Sequence, residues 1–115
     1  MIKKLRRDAE FIINKSIQAV LPDEAVKKAL SSFSCEGGKI VLVVAGKAAW
    51  QMAAAAVEVV GHIDRGIVIT KYGHLKGELA GIECYEAGHP VPDENSFRLQ
   101  REPLIWSATF QKKIR

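Results

Sequence analysis

The sequence predicts a three-layer α/β/α domain built on a mostly parallel sheet, and three observations carry that reading. A continuous run rich in β-branched residues, Lys39-Ile40-Val41-Leu42-Val43-Val44-Ala45, has the character of a strand buried on both faces. It passes through Gly46-Lys47-Ala48 into an alanine-rich helical stretch, residues 48–60. Two further strand-like runs follow, residues 65–70 and 82–87, the second alternating and so less fully buried. Strand, helix, strand, loop, strand is the order expected of parallel strands joined by right-handed crossovers.

The elements can be justified in order. Leu5, Ala9, Ile12, Ile13, Ser16, Ile17 and Val20 recur at spacings of three and four, which predicts an amphipathic helix over residues 2–20. Leu21-Pro22-Asp23 ends it and opens a second helix, because proline suits a first helical turn. Ala25, Val26, Ala29, Leu30 and Phe33 line one face of that helix, and Glu36-Gly37-Gly38 is a loop. Small residues over 48–60 let the third helix pack closely on the sheet, with Gly61 as its C-cap. After the strand at 82–87, Pro92 or Asp93 opens a helix through Asn95, Ser96 and Phe97.

Chemistry-bearing residues collect after the strands. Gly46-Lys47 places a cation at a strand-to-helix junction, in what reads as the first turn of the helix, where the backbone already carries partial positive charge. Two positives in one place suit an anionic ligand such as a phosphate or carboxylate; otherwise Lys47 is a solvated surface lysine. Lys71-Tyr72-Gly73-His74 and Gly88-His89-Pro90 follow the next two strands, so all three loops fall on the carboxyl edge, where open α/β sheets bind ligands. Their lysines, histidines and glycine amides suit neutralising phosphate oxygens or polarising a small acid. Gly46-Lys47-Ala48 lacks the glycine spacing and the Ser or Thr of a Walker loop, and no Gly-x-Gly-x-x-Gly fingerprint occurs. His62, His74 and His89 lack metal-ligand spacing, so no metal site is expected, and each alone also reads as a structural or surface residue. Chemistry by itself stops at an α/β domain with an anion site.

Three segments carry a resemblance to a known family. They are Val43-Val44-Ala45-Gly46-Lys47-Ala48-Ala49, then Gly66-Ile67-Val68-Ile69-Thr70-Lys71-Tyr72-Gly73-His74, then Glu86-Ala87-Gly88-His89-Pro90-Val91-Pro92-Asp93-Glu94-Asn95-Ser96. In this order and spacing they resemble the N-terminal part of the glycerate 2-kinases, some of which are catalogued as hydroxypyruvate reductases. The resemblance covers residues 1–96. It implies a Rossmann-like domain, partial relative to the family, with the active site in a cleft against a second domain. It also implies ATP and Mg²⁺ as cofactors, and phosphoryl transfer to D-glycerate giving 2-phosphoglycerate. By position, Lys47 resembles the family's catalytic lysine. Gly46, His74, Gly88 and His89 fall where substrate or phosphate would bind, with Lys71, Tyr72 and Gly73 as a neighbouring wall.

Residues 97–115 depart from the family's pattern. Five basic residues stand there against one acid, while residues 1–96 balance at twelve and twelve, so the formal net charge of +4 belongs to this tail. Pro103 interrupts any helix begun at Phe97, and the apolar stretch 104–110 has no helical period. The expectation is an atypical tail, either substituted by a frameshift or a divergent native helix and strand. A chain with Lys47 but without the family's glycine-rich loop and second domain is expected to be inactive alone. The competing class is a stand-alone α/β module binding a small phosphorylated or carboxylated metabolite. A third is an assembly domain in which an exposed sheet edge and apolar tail drive homo-oligomerisation.

Composition sets the remaining bounds. A charge-balanced body argues against a nucleic-acid-binding face. No apolar run reaches membrane-span length, and the basic N-terminus has no signal core because Asp8 and Glu10 interrupt it. The reading is a cytoplasmic protein acting on small molecules, with no nucleic acid and no membrane as partner. Cys35 and Cys84 match no metal or redox spacing and are expected reduced.

Overall fold

The computed structural model describes residues 1–106. Four helices and three strands follow in the order α1 (Ile2–Val20), α2 (Pro22–Leu30), β1 (Val41–Ala45), α3 (Ala49–Val60), β2 (Arg65–Lys71), β3 (Ile82–Ala87) and α4 (Glu94–Leu99). Residues 101–106 are also helical. The strands form one parallel sheet in the order β1-β2-β3, with Val44 opposite Val68 and Val68 opposite Cys84. This is a Rossmann-like α/β arrangement. Because the strands are parallel, Ala45, Lys71 and Ala87 all end at the same edge, and the loops that follow them meet there.

Local chemistry accounts for the boundaries. Pro22 opens α2 at its first positions, with Asp23 and Glu24 in the first turn and Lys27 and Lys28 in the last, complementing the helix dipole at both ends. Gly61 ends α3 with φ of 78°, a conformation that side chains other than glycine avoid, and its N–H returns to the Val57 carbonyl. Alanines 49, 53, 55 and 56 are the buried face of α3. Their small size brings the helix axis close to the sheet, where Ala49 and Ala53 pack with Val68 and the partly buried Leu42, Val44 and Cys84. Lys27 of α2 pairs with Glu58 of α3 at 3.0 Å across an exposed seam, a contact of little energetic weight.

Three sequence expectations need correction. The apolar run at 40–45 is not buried on both faces: among the described residues β1 is an edge strand, Val43 is 50% exposed, and β2 between its neighbours takes the doubly buried position, with Ile67 and Val68 fully buried. An apolar run reports what a strand tolerates, not how many neighbours it has. The helix after β1 begins at Ala49 with Ala48 as N-cap, so Lys47 stands ahead of the first turn rather than in it. The helix running through Phe97 does stop short of Pro103, at Leu99, but the start of the apolar stretch after it is helical: residues 101–106 form helix with Pro103 in their first turn, where its missing N–H leaves no bond unmade. Trp106 is buried there beneath the Arg65 guanidinium, 3.8 Å from the ring centroid. The remaining tail, residues 107–115, lies outside the described residues.

The predicted α1 helix is present, yet no residue of it is buried, and its stripe of Leu5, Ile12, Ile17 and Val20 faces solvent. Among the described residues, no helix is long and apolar enough to cross a membrane.

Candidate functional site

At the carboxyl edge, the Gly46-Lys47 turn is fastened by its backbone. The Gly46 N–H donates to the Ile69 carbonyl at 3.0 Å, extending the β1-β2 ladder by one bond. The Lys47 carbonyl accepts the hydroxyl of Thr70 at 3.2 Å. Thr70 is 2% exposed, so that hydroxyl is a buried polar group committed to holding the turn. Gly46 itself adopts φ of 131°, which turns the chain sharply off the strand. The Lys47 side chain is left exposed, and no carboxylate among the described residues pairs with it.

The turn divides the edge into two clefts. The first, of about 430 Å³, is lined by Lys47, Ala48, Trp50, Gln51, Gly73, His74 and Lys76. The Trp50 indole N–H donates to the Gly77 carbonyl at 3.0 Å and so ties the loop carrying Lys76 to α3. The second, of about 230 Å³, includes Gly46, Thr70, Lys71, Gly88, His89, Pro90 and Ser96 in its lining. Of the residues singled out from sequence, Lys47 and His74 therefore share one cleft, while Gly46, Gly88 and His89 share the other. They do not form a single pocket. Tyr72 lines neither cleft.

Tyr72 has another task. Its hydroxyl donates to the Asp93 carboxylate at 2.6 Å and accepts from the Asn95 amide at 2.9 Å. Asp93 is the N-cap of α4; it accepts the Ser96 N–H at 3.1 Å, while the Ser96 hydroxyl accepts the Asp93 N–H, closing a capping box. It also accepts the Gly88 backbone N–H. One carboxylate thus joins the loop after β2, the loop after β3 and the start of α4. The Tyr72 hydrogen bond, followed by those of the Gly88 and Ser96 backbone, holds the Asp93 carboxyl down at about 2. The Tyr72 phenol is pushed up, chiefly by its bond to that carboxylate.

A group depressed in the folded state adds stability above its unfolded pKa and loses it as pH falls through the folded one. For Asp93 that window runs from the ordinary 3.8 down to about 2. The thermal midpoint is therefore expected to fall over this interval, and Asp93→Asn is expected to remove that part of the acid dependence. Thermal denaturation followed at several acidic pH values checks this. An equal acid drop in the Asn variant would show that other carboxylates cause it.

Sequence reasoning missed Thr70, Trp50, Gln51 and Lys76. Two of them were within reach of the sequence. Thr70 stands two residues from Val68, so strand alternation turns it towards α3 like Val68. Trp50 lies in the first turn of α3, next to the Gly46-Lys47 turn that the sequence singles out.

A Rossmann-like domain with a cationic, ligand-sized carboxyl edge is the class that fold and site define. Residues 8–113 match the family described as a domain of unknown function, DUF4147, and the chain belongs to that family. It is 50% identical over 103 residues to the D-glycerate 2-kinase of Thermotoga maritima, a match covering 89% of this chain and 24% of that protein. To the glycerate 2-kinase of Pyrococcus horikoshii it is 45% identical over 67 residues, covering 58% of this chain and 15% of the relative. The crystal structure of glycerate kinase from Thermotoga maritima superposes with a TM-score of 0.81 at 48% identity, over 90% of this chain and 25% of that one. The resemblance read from the three sequence segments is therefore correct: the chain is homologous to the N-terminal part of glycerate 2-kinase. It spans at most about a quarter of the length of these relatives.

Proposed function

We propose that this chain supplies the lysine-bearing part of a site that transfers a phosphoryl group from ATP to the 2-hydroxyl of D-glycerate. In that step the bond between the γ-phosphorus and the β,γ-bridging oxygen breaks, a bond to the 2-oxygen of glycerate forms, ADP leaves with the bridging oxygen, and the hydroxyl proton passes to solvent. The observation carrying the proposal is the Lys47 ammonium, paired with no carboxylate among the described residues, on a turn that lines the larger cleft, while its neighbour Gly46 lines the smaller. Lys47 offsets the charge on the transferring group as a point cation. His89, across the Gly46 turn, orients glycerate through its ring N–H.

ATP and Mg²⁺ fare differently against these residues. A cleft bearing lysines, a histidine and an indole suits a nucleotide's phosphates. Mg²⁺ needs oxygen ligands, yet among the described residues neither cleft is lined by a carboxylate, and Asp93 is already engaged by Tyr72, Gly88 and Ser96. Among the described residues no cluster of three His, Cys, Asp or Glu side chains is placed to hold a metal. These residues do not fit a metal site, and no step is assigned to the ion.

The test is a chimaera in which this chain replaces the matching segment of the Thermotoga maritima D-glycerate 2-kinase. Glycerate-dependent ADP release is expected from the chimaera and none above background from these 115 residues alone. A folded chimaera without activity would overturn the proposal.

A further inference from the structure

The two clefts differ in a way that assigns ligands to them. The larger is lined by both Lys47 and Lys76, one from the turn after β1 and one from the loop after β2, together with His74. Neither lysine is paired with a carboxylate among the described residues. Two cations held on separate loops leave like-charge repulsion uncompensated in the free protein, and an extended polyanion relieves it at both positions at once. A single orthophosphate engages fewer of these donors than a chain of phosphates. The arrangement is held in place: Trp50 from α3 bonds the Gly77 carbonyl beside Lys76, so the loop does not present its lysine merely by chance of solvation. The cleft's volume, about 430 Å³, lies in the range of small-ligand sites, about 300–1,000 Å³, whereas the cleft beyond Gly46, about 230 Å³, falls below it. That smaller cleft carries one lysine, Lys71, with His89 and two prolines in its lining, and its volume suits a compact hydroxy acid rather than a triphosphate.

We propose that the larger cleft is a polyphosphate site in which Lys76 is a second phosphate-binding cation beside Lys47, with the Gly46-Lys47 turn as the wall between it and the cleft for the acceptor acid. The inference rests on the phosphoryl-transfer reading above and deepens it by naming the side of the turn on which the nucleotide's phosphates lie. Lys76 binds there without touching the acceptor.

Calorimetry on the full chain with sodium tripolyphosphate and, separately, sodium orthophosphate tests this at low salt, where exposed charges are least screened. The intact chain is expected to bind tripolyphosphate at least tenfold more tightly than orthophosphate. Lys76→Met is expected to weaken tripolyphosphate binding at least fivefold and to collapse most of that preference, and Lys76→Arg to restore it. Lys4→Met, which removes a lysine from exposed α1, serves as the control for general loss of positive charge. Circular dichroism verifies that each variant is folded, as expected for exposed side chains. Absence of tripolyphosphate binding at millimolar concentration, equal affinity for the two anions, or an unchanged Lys76→Met variant overturns the proposal. So does a Lys4→Met effect as large as that of Lys76→Met. If Lys47→Met abolishes binding while Lys76→Met does not, the assignment of Lys76 fails and the phosphoryl-transfer reading survives. If neither lysine matters, both fail.

Discussion

Lys47→Met in the chimaeric kinase is expected to lower kcat by about two to three orders of magnitude, with a smaller change in KM for ATP. The size follows from the kind of interaction. Removing one preorganised donor from a position where charge develops costs about 10²–10³ in rate, or about 2.7–4 kcal/mol. Lys47 meets the requirement of preorganisation through its backbone. Its carbonyl is held by the buried Thr70 hydroxyl, and the Gly46 N–H before it is bonded into the strand ladder. The turn therefore does not have to be ordered at the moment of reaction. Methionine retains much of the apolar stem, so a loss specific to kcat reports the ammonium rather than packing. Lys47→Arg is expected to recover only part of the rate, because a planar fork does not present its charge where a compact ammonium does. Steady-state kinetics on the three proteins, with thermal midpoints to verify folding, check the result. A kcat for Lys47→Met within threefold of the parent would remove Lys47 from the reaction.

Much of this edge was legible before the structure, and the pattern of success is physical. The third strand falls where alternation put it, Ile82–Ala87, because period two survives even when one face is half exposed. The parallel order of the strands then brings the three loops together without further information. What a continuous apolar run does not contain is the number of neighbours a strand has, so the run at 39–45 places Val43 inside whereas it is half exposed. Convergence on one edge likewise does not specify one pocket. His74 lines one cleft with Lys47 and His89 the other with Gly46, so adjacent residues of one turn belong to different clefts. The Tyr72–Asp93 hydrogen bond joins residues 21 apart, and no local pattern encodes it. Pro103 shows the opposite limit: α4 stops at Leu99 ahead of it, yet helix resumes over residues 101–106 with the proline in its first turn.

Gly88→Ala is expected to destabilise the chain by about 1–3 kcal/mol, the usual cost of forcing a methyl into a packed position. A Cβ there would lie 2.6 Å from the Val91 carbonyl oxygen and 3.0 Å from the Asp93 carboxyl carbon. The first obstacle is backbone, so relief requires the loop bearing His89 and Pro90 to move, not merely a rotamer change. At about 4–8 °C per kcal/mol for a domain near this size, the thermal midpoint is expected to fall by about 10 °C. Gly46→Ala provides the contrast. Nothing lies within 4 Å of a Cβ at Gly46, but its φ of 131° is one that alanine avoids, so its cost is backbone strain of about 1–3 kcal/mol. The two variants thus have similar expected stability losses for opposite reasons, and acid titration separates them. Gly88→Ala pushes on Asp93 and disturbs the bonds that hold its carboxyl near 2, so the acid dependence between 3.8 and 2 should shrink. Gly46→Ala leaves those bonds in place and should keep it. Thermal denaturation of both variants across that interval decides the matter. Equal acid profiles would mean that Gly88 does not set the position of the Asp93 carboxylate.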